Sequence, residues 1–335
     1  MGHGATILGC LGPVLAPDEA AFFRDADPWG FILFARNVET PGQLRRLTED
    51  LRAAVGRDAP VLIDQEGGRV QRMRAPHWRE WLPPLDQVAA TPAGYERGLW
   101  LRYRMIAAEL RAAGIDANCA PCLDIAGPLT HPFLRNRCLG EDAATVTRAG
   151  RAVAEGLLAG GVLPVMKHMP GHGRAAVDSH HDVPRVTAPL GDLRETDFAP
   201  FRALADLPLG MTGHIVFDAV DRDNPATASA AVIRLIRGEI GFAGLLMTDD
   251  LSMQALAGDI GQRTAAAIAA GCDVALHCNG KREEMELAVA AAGRLSPAAA
   301  ARADAALARR SRPDDVDTVT LQAELEALLK GAAHA

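Results

Sequence analysis

Val162-Leu163-Pro164-Val165-Met166-Lys167-His168-Met169-Pro170-Gly171-His172-Gly173 is the stretch on which the reading of this chain turns, and it continues through Arg174 to Asp178-Ser179-His180-His181-Asp182. The apolar run at its start reads as a buried strand that delivers polar groups at its C-terminal end. Pro170, Gly171 and Gly173 then forbid regular structure, so four histidines, two carboxylates and an ammonium are concentrated on a loop. That is the composition of an active site. Only Lys167, Lys281 and Lys330 are lysine in a chain whose other basic residues are arginine, so Lys167 is a poor candidate for a casual solvating charge. A polar loop that merely caps the fold is the competing reading, and it accounts badly for so many titratable groups in one place.

Working outward, further apolar runs fall at 7–10, 31–34, 61–63, 117–120, 209–212, 245–247 and 274–276, which makes 162–166 the fifth of eight. Helical stripes lie between them. Leu44, Leu47 and Leu51 follow a capping Thr40; Leu99, Tyr103, Ile106 and Leu110 form a second stripe, and Val146, Ala149, Val153 and Leu157 a third. With no obvious linker, alternating short strands and amphipathic helices specify an α/β fold, a single (β/α)8 TIM-type barrel over 1–335. Terminal helices at about 297–330 are expected to pack outside it.

The 335 residues could equally make two average domains, and the strand–helix alternation decides for one large barrel. With 49% apolar and 23% charged residues the chain can bury a large core, and a net charge of −7 leaves no basic footprint for nucleic acid. No run approaches the roughly 18 apolar residues of a membrane span, and the N-terminus lacks a basic segment with a long apolar core, so the expected location is the cytoplasm. Cys119-Ala-Pro-Cys122 has redox or zinc spacing, but without a second such pair or a neighbouring His the six cysteines read as buried hydrophobes in a reducing compartment.

In such a barrel the loops after the strands share one face. Asp64, Arg137, Lys167, His168, His214 and Asp249 all follow apolar runs and should converge there. A metallohydrolase could draw ligands from His168, His172, His180, His181 and His214, yet there is no His-x-His after the first strand and no His-Glu-x-x-His. A glycosidase needs a carboxylate on one side of an anomeric carbon and a proton donor on the other. Asp249 at a strand tip suits the first role. His180, held by Asp178, suits the second, because an adjacent carboxylate orients the ring and favours imidazolium. Lys167, Arg137 and Asp64 would then hold hydroxyls. Of the Asp249-Asp250 pair, one member is expected to cap a following helix.

Ile63-Asp64-Gln65-Glu66-Gly67-Gly68-Arg69-Val70-Gln71-Arg72, Lys167 to Gly173 with Asp178-Ser179-His180, and Thr248-Asp249-Asp250-Leu251-Ser252-Met253 together resemble the single-domain bacterial β-N-acetylglucosaminidases of glycoside hydrolase family 3, the NagZ type. Leu33-Phe34-Ala35-Arg36-Asn37 and Ala226-Thr227-Ala228-Ser229 fall in the same order, and the resemblance spans roughly residues 7 to 290. It implies a retaining exo-hydrolase of terminal β-linked N-acetylglucosamine that needs no metal or other cofactor. Residue by residue, it implies Asp249 as nucleophile, His180 as acid/base with Asp178 as its partner, and sugar contacts from Asp64, Arg72, Arg137, Lys167 and His168. It further implies a cytoplasmic monomer acting on N-acetylglucosaminyl-1,6-anhydro-N-acetylmuramic acid and its peptides in peptidoglycan recycling, and so in cell-wall biogenesis, division and shape. Cys138-Leu139 after Arg137, and Met169, depart from the family pattern. Because a neutral imidazole repels anions less than a carboxylate base would, phosphate could compete with water in the second step. A β-glucosidase and a carbohydrate-binding barrel without turnover are the alternative readings.

Overall fold

The computed structural model describes residues 2–175, 183–254 and 256–332. The apolar runs become β1 (Gly4–Gly9), β2 (Pro28–Leu33), β3 (Val61–Ile63), β4 (Ala117–Asn118), β5 (Leu163–Met169), β6 (Leu209–Thr212), β7 (Leu245–Asp250) and β8 (Val274–His277). Each pairs in parallel with its sequence neighbours, and β8 returns to β1 with Thr6 opposite Ala275 and Leu8 opposite His277, closing the barrel that the alternation predicts.

The runs are nearly continuous in apolar character because both faces of every strand are covered. Ile7, Ile32, Leu62, Val165, Leu245 and Met247 fill the barrel interior. Their immediate neighbours Leu8, Phe31, Leu33, Val61 and Ile63 face the helices instead, as a period of two requires.

The helices begin where the sequence supplies caps. Thr40 accepts from the Gln43 N–H ahead of Pro41–Val55, and Asp142 accepts from the Thr145 N–H at 2.8 Å ahead of Ala143–Ala159. Each such cap satisfies an otherwise orphaned donor and is worth about 1 kcal/mol. The stripes Leu99-Tyr103-Ile106-Leu110 on Tyr95–Ala112 and Val146-Ala149-Val153-Leu157 on Ala143–Ala159 are buried as expected. These two helices touch at Gly156, where a Cβ would stand only 2.6 Å from the Trp100 carbonyl oxygen.

Both terminal helices lie outside the ring of strands, in different places. Pro297–Leu307 lies across the N-terminal end of the barrel: Ala299, Ala303 and Ala306 join the interior cluster, and Arg302 pairs with Asp273 just before β8 at 2.5 Å. Thr318–Ala332 lies on the flank, where Glu324 takes both arms of Arg97 at 2.7 and 2.8 Å. No helix among the described residues is long and apolar enough to cross a membrane.

Two strands run further than their apolar residues do. β5 continues through Lys167, His168 and Met169, and β7 through Thr248, Asp249 and Asp250. Apolar character marks a strand only while burial is apolar, and at these tips polar groups bury one another.

Candidate active site

Both extensions carry an irregularity at the residues of interest. Three steps along β5, from Met166 to Met169, match two along β6, and three along β7, from Met247 to Asp250, match two along β8. An inserted residue re-aims the side chains beside it. Lys167 and His168, adjacent in sequence, therefore both line one cleft at the C-terminal mouth, and so do Asp249 and Asp250.

The cleft has a volume of about 230 Å³, and Asp64, Arg72, Arg137, Lys167, His168 and Asp249 all border it. The other two site residues expected from sequence, Asp178 and His180, lie outside the described residues.

Its floor is an ion-paired network. Lys167 Nζ sits 2.8 Å from Asp64 Oδ1 and 2.6 Å from Glu66 Oε1. Arg137 forks onto Glu66 with both contacts at 2.9 Å, and Arg72 holds the other Asp64 oxygen at 2.9 Å. Lys167 is 2% exposed and Glu66 1%, so neither charge survives without its partners. Burial alone would push both carboxyls up. Lys167 and Arg72 more than offset this at Asp64 and hold it well below the usual carboxylate range, while Arg137 and Lys167 bring Glu66 down to about 2. For Lys167 burial works downward, and the two carboxylates overcome it and keep the ammonium charged. The floor thus presents rigid charged donors and acceptors with no cost of reorganisation when a hydroxyl arrives.

His168 is fixed from two sides. Arg137 Nη2 approaches its Nε2 at 3.3 Å, and its Nδ1 lies 2.7 Å from Asp124 Oδ2 on the other side of the ring. Asp124 also accepts the His172 backbone N–H at 2.6 Å. The His172 ring lies edge-on to His168, lines the cleft, and has neither ring nitrogen paired among the described residues. Burial depresses this imidazole to about 4, so it is neutral at working pH.

Asp249 accepts the Asp250 backbone N–H at 2.8 Å. Burial raises its carboxyl, and the nearby His168 and His214 rings outweigh that, so the group stays below the usual value and is ionised. Asp250 corrects an expectation, since it caps no helix. Its carboxylate accepts from the Ser252 backbone and hydroxyl at 3.0 and 2.6 Å and from the Cys278 N–H at 3.2 Å, so it ties the tip of β7 to β8. The next helix, Ile260–Ala270, is capped by Asp259. His214 is a second correction. It is wholly buried, bonded to Thr227 Oγ1 at 2.8 Å and to the Asp250 carbonyl at 2.9 Å, and it buttresses the Asp249 strand from behind without lining the cleft.

Sequence reasoning assigned no role to Glu66 or Asp124, and named His172 only as a candidate metal ligand. Glu66 stands in plain view two residues after Asp64, the spacing that puts it on the same side of an extended segment. Asp124 carries no local signal, because it follows a strand broken by Pro121 and matters only through His168. Cys119 and Cys122 part company across that same proline, the first facing the barrel interior and the second joining a small cluster with Leu134 and Cys138.

Known proteins share this arrangement of elements. Residues 18–311 match the family model described as "Glycosyl hydrolase family 3 N terminal domain". A "Beta-hexosaminidase" of Bordetella avium (strain 197N) is 36% identical over 289 residues, covering 82% of this chain and 81% of that protein. Native NagZ from Neisseria gonorrhoeae matches in structure with a TM-score of 0.84 and 29% identity, covering 100% of this chain and 98% of that one. The same protein in complex with N-trifluoroacetyl-D-glucosamine gives a TM-score of 0.83 at 29% identity, with the same coverage.

Proposed function

The chain belongs to glycosyl hydrolase family 3, and from that premise we propose how its cleft works and on what. It is a β-N-acetylhexosaminidase of the NagZ type that releases terminal β-linked N-acetylglucosamine. In our reading Asp249 attacks the anomeric carbon while His180, oriented by Asp178, protonates the leaving oxygen. A glycosyl–Asp249 ester forms, and water then releases the sugar with His180 as base. Asp64, Arg72, Arg137, Lys167 and His168 hold the sugar.

One observation carries the reading: an ionised carboxylate at a rigid strand tip shares a single small cleft with a preassembled set of ion-paired hydroxyl binders. At about 230 Å³ the cleft is smaller than the roughly 300–1,000 Å³ usual for larger ligands, which suits one terminal ring and not an internal stretch of polymer. The natural substrate we propose is N-acetylglucosaminyl-1,6-anhydro-N-acetylmuramic acid with or without its peptide, met in the cytoplasm during peptidoglycan recycling by a monomeric enzyme.

Hydrolysis of aryl β-N-acetylglucosaminide should exceed that of aryl β-glucoside by at least about tenfold, the size of discrimination that polar contacts to one substituent supply. Preference for the glucoside, or turnover of neither, would refute the assignment. Competition between the anhydro-disaccharide and the aryl substrate tests the recycling role.

His180→Ala should slow substrates with poor alkyl leaving groups by about 10²–10⁴-fold and activated aryl glycosides far less, because only the former need a proton in the transition state. Equal losses on both would remove His180 from the acid role.

A further inference from the structure

Of the buried histidines among the described residues, His172 alone has neither ring nitrogen paired. His168 and His214 are held at both nitrogens and His277 is bonded to Glu284, whereas both nitrogens of His172 are shut off from solvent without a partner. Each buried polar atom left unmade weakens the folding equilibrium by about tenfold or more, so a fold retains such a group where something else is to use it.

The ring does not need its nitrogens to hold its place. The His172 backbone N–H donates to Asp124 and its carbonyl accepts from the Ala175 N–H at 3.0 Å, while a Cβ on the next residue, Gly173, would collide with the Ile125 carbonyl. The main chain is thus fixed, and the ring, 5% exposed, borders the cleft. The torsion about its Cβ–Cγ bond is broad, so a small turn presents a nitrogen to whatever fills that space.

The charges that act on the ring show which part of a sugar it meets. They come from Asp124, His168 and Asp249, so His172 stands where the sugar-binding floor approaches the proposed nucleophile. Asp249 marks C1 of the bound sugar, and three atoms are bonded to C1. The aglycone oxygen leaves toward the opening in an exo-acting enzyme, and the ring oxygen has no proton to give. The third, C2, carries the acetamido group that distinguishes N-acetylglucosamine from glucose. That group offers a donor and an acceptor, and its oxygen lies about 2.2 Å beyond the nitrogen that replaces the C2 hydroxyl. A neutral imidazole likewise offers one donor and one acceptor, and burial keeps this one neutral.

We propose that His172 reads the C2 acetamido group: a ring nitrogen hydrogen-bonds the amide of N-acetylglucosamine, and the shorter hydroxyl of glucose leaves it unpaired. The assignment rests on the function proposed above and names the residue that sets its selectivity. Asp64, Lys167 and Arg137 are charged groups that serve the hydroxyls of either sugar, so discrimination falls to the neutral one. A site whose buried polar group stays orphaned with the wrong ligand rejects that ligand.

The test compares full-length His172→Leu and His172→Gln with the unsubstituted protein. In His172→Leu, kcat/KM for aryl β-N-acetylglucosaminide should fall at least about tenfold and that for aryl β-glucoside by less than about threefold, the scale of one lost hydrogen bond. His172→Gln, which restores a donor and an acceptor, should recover most of the loss. The Tm of His172→Leu should equal or exceed that of the unsubstituted protein, because an unpaired buried polar group has been replaced by an apolar one; a merely structural imidazole would lower it. In ligand-observed NMR titrations the Kd of N-acetylglucosamine should rise about tenfold in His172→Leu while that of glucose stays put. The titrations need no turnover, so a protein that hydrolyses neither glycoside would refute the proposed function and still leave them to decide the role of His172. Equal losses on both sugars, unchanged affinity for N-acetylglucosamine, or a His172→Gln variant no more selective than His172→Leu would overturn the proposal.

Discussion

Asp249→Ala protein should fold normally and turn over substrate at least about 10³-fold more slowly, the scale on which removal of a nucleophile is felt when the rest of the site persists. The reason for choosing Asp249 over its rivals lies in what each carboxylate is already doing. Asp64 has one oxygen committed to Lys167 and the other to Arg72; Glu66 is committed to Lys167 and Arg137; and Asp250 is occupied by Ser252 and Cys278. Lone pairs held in charged hydrogen bonds are poor nucleophiles. Asp249 takes a backbone N–H, is ionised, and borders the cleft. Incubation with a 2-fluoro or 5-fluoro glycosyl fluoride, which slows release of a covalent intermediate more than its formation, should add one sugar mass to the peptide carrying Asp249. A label on Asp64 or on any other peptide would transfer the role, and inversion of anomeric configuration in the product would end the double-displacement scheme.

The barrel was legible in the sequence because its strands are apolar on both faces and its helices carry stripes and caps, signals that are local and periodic. Convergence of Asp64, Arg72, Arg137, Lys167, His168 and Asp249 on one mouth follows from where each sits relative to a strand end, and topology does the rest. Two kinds of information were not legible. Strand ends were read short at Lys167 and Asp249, because polar residues sustain a strand only when partners from other strands bury them, and such partners are invisible along one segment. For the same reason His214 read as a cleft residue. Following a strand is not enough, since Thr227 and the Asp250 carbonyl hold its ring out of the cleft. The supporting residues Glu66 and Asp124 were missed because their function is exercised on other side chains, 71 and 44 positions away in sequence.

Glu66 is where that hidden layer can be tested. The Glu66→Gln variant keeps shape but removes the charge shared by Lys167 and Arg137, leaving Lys167 to Asp64 and Arg137 with a carboxamide in place of a carboxylate. Breaking a buried pair by neutralising one partner costs about 3–5 kcal/mol, because the other charge stays buried. For a domain of this size that corresponds to a fall in Tm of roughly 5–10 °C at neutral pH. The pH dependence identifies the cause. Glu66 has its folded value at about 2 against an ordinary 4.5, so its contribution is fully present above pH 4.5 and is lost as pH falls through 2. By pH 3 the unsubstituted protein should have lost about 2 of roughly 3 kcal/mol from this group, a loss the variant cannot suffer. The Tm difference between the two proteins should therefore be largest at pH 6 and shrink steadily from pH 4.5 to 3. Lys167 and Arg137 are also substrate contacts in the proposed mechanism, so KM for aryl N-acetylglucosaminide should rise in the variant even where it remains folded. A Tm difference that stays constant from pH 6 to 3, or an unchanged KM, would mean that the floor of the cleft is held by something other than this carboxylate.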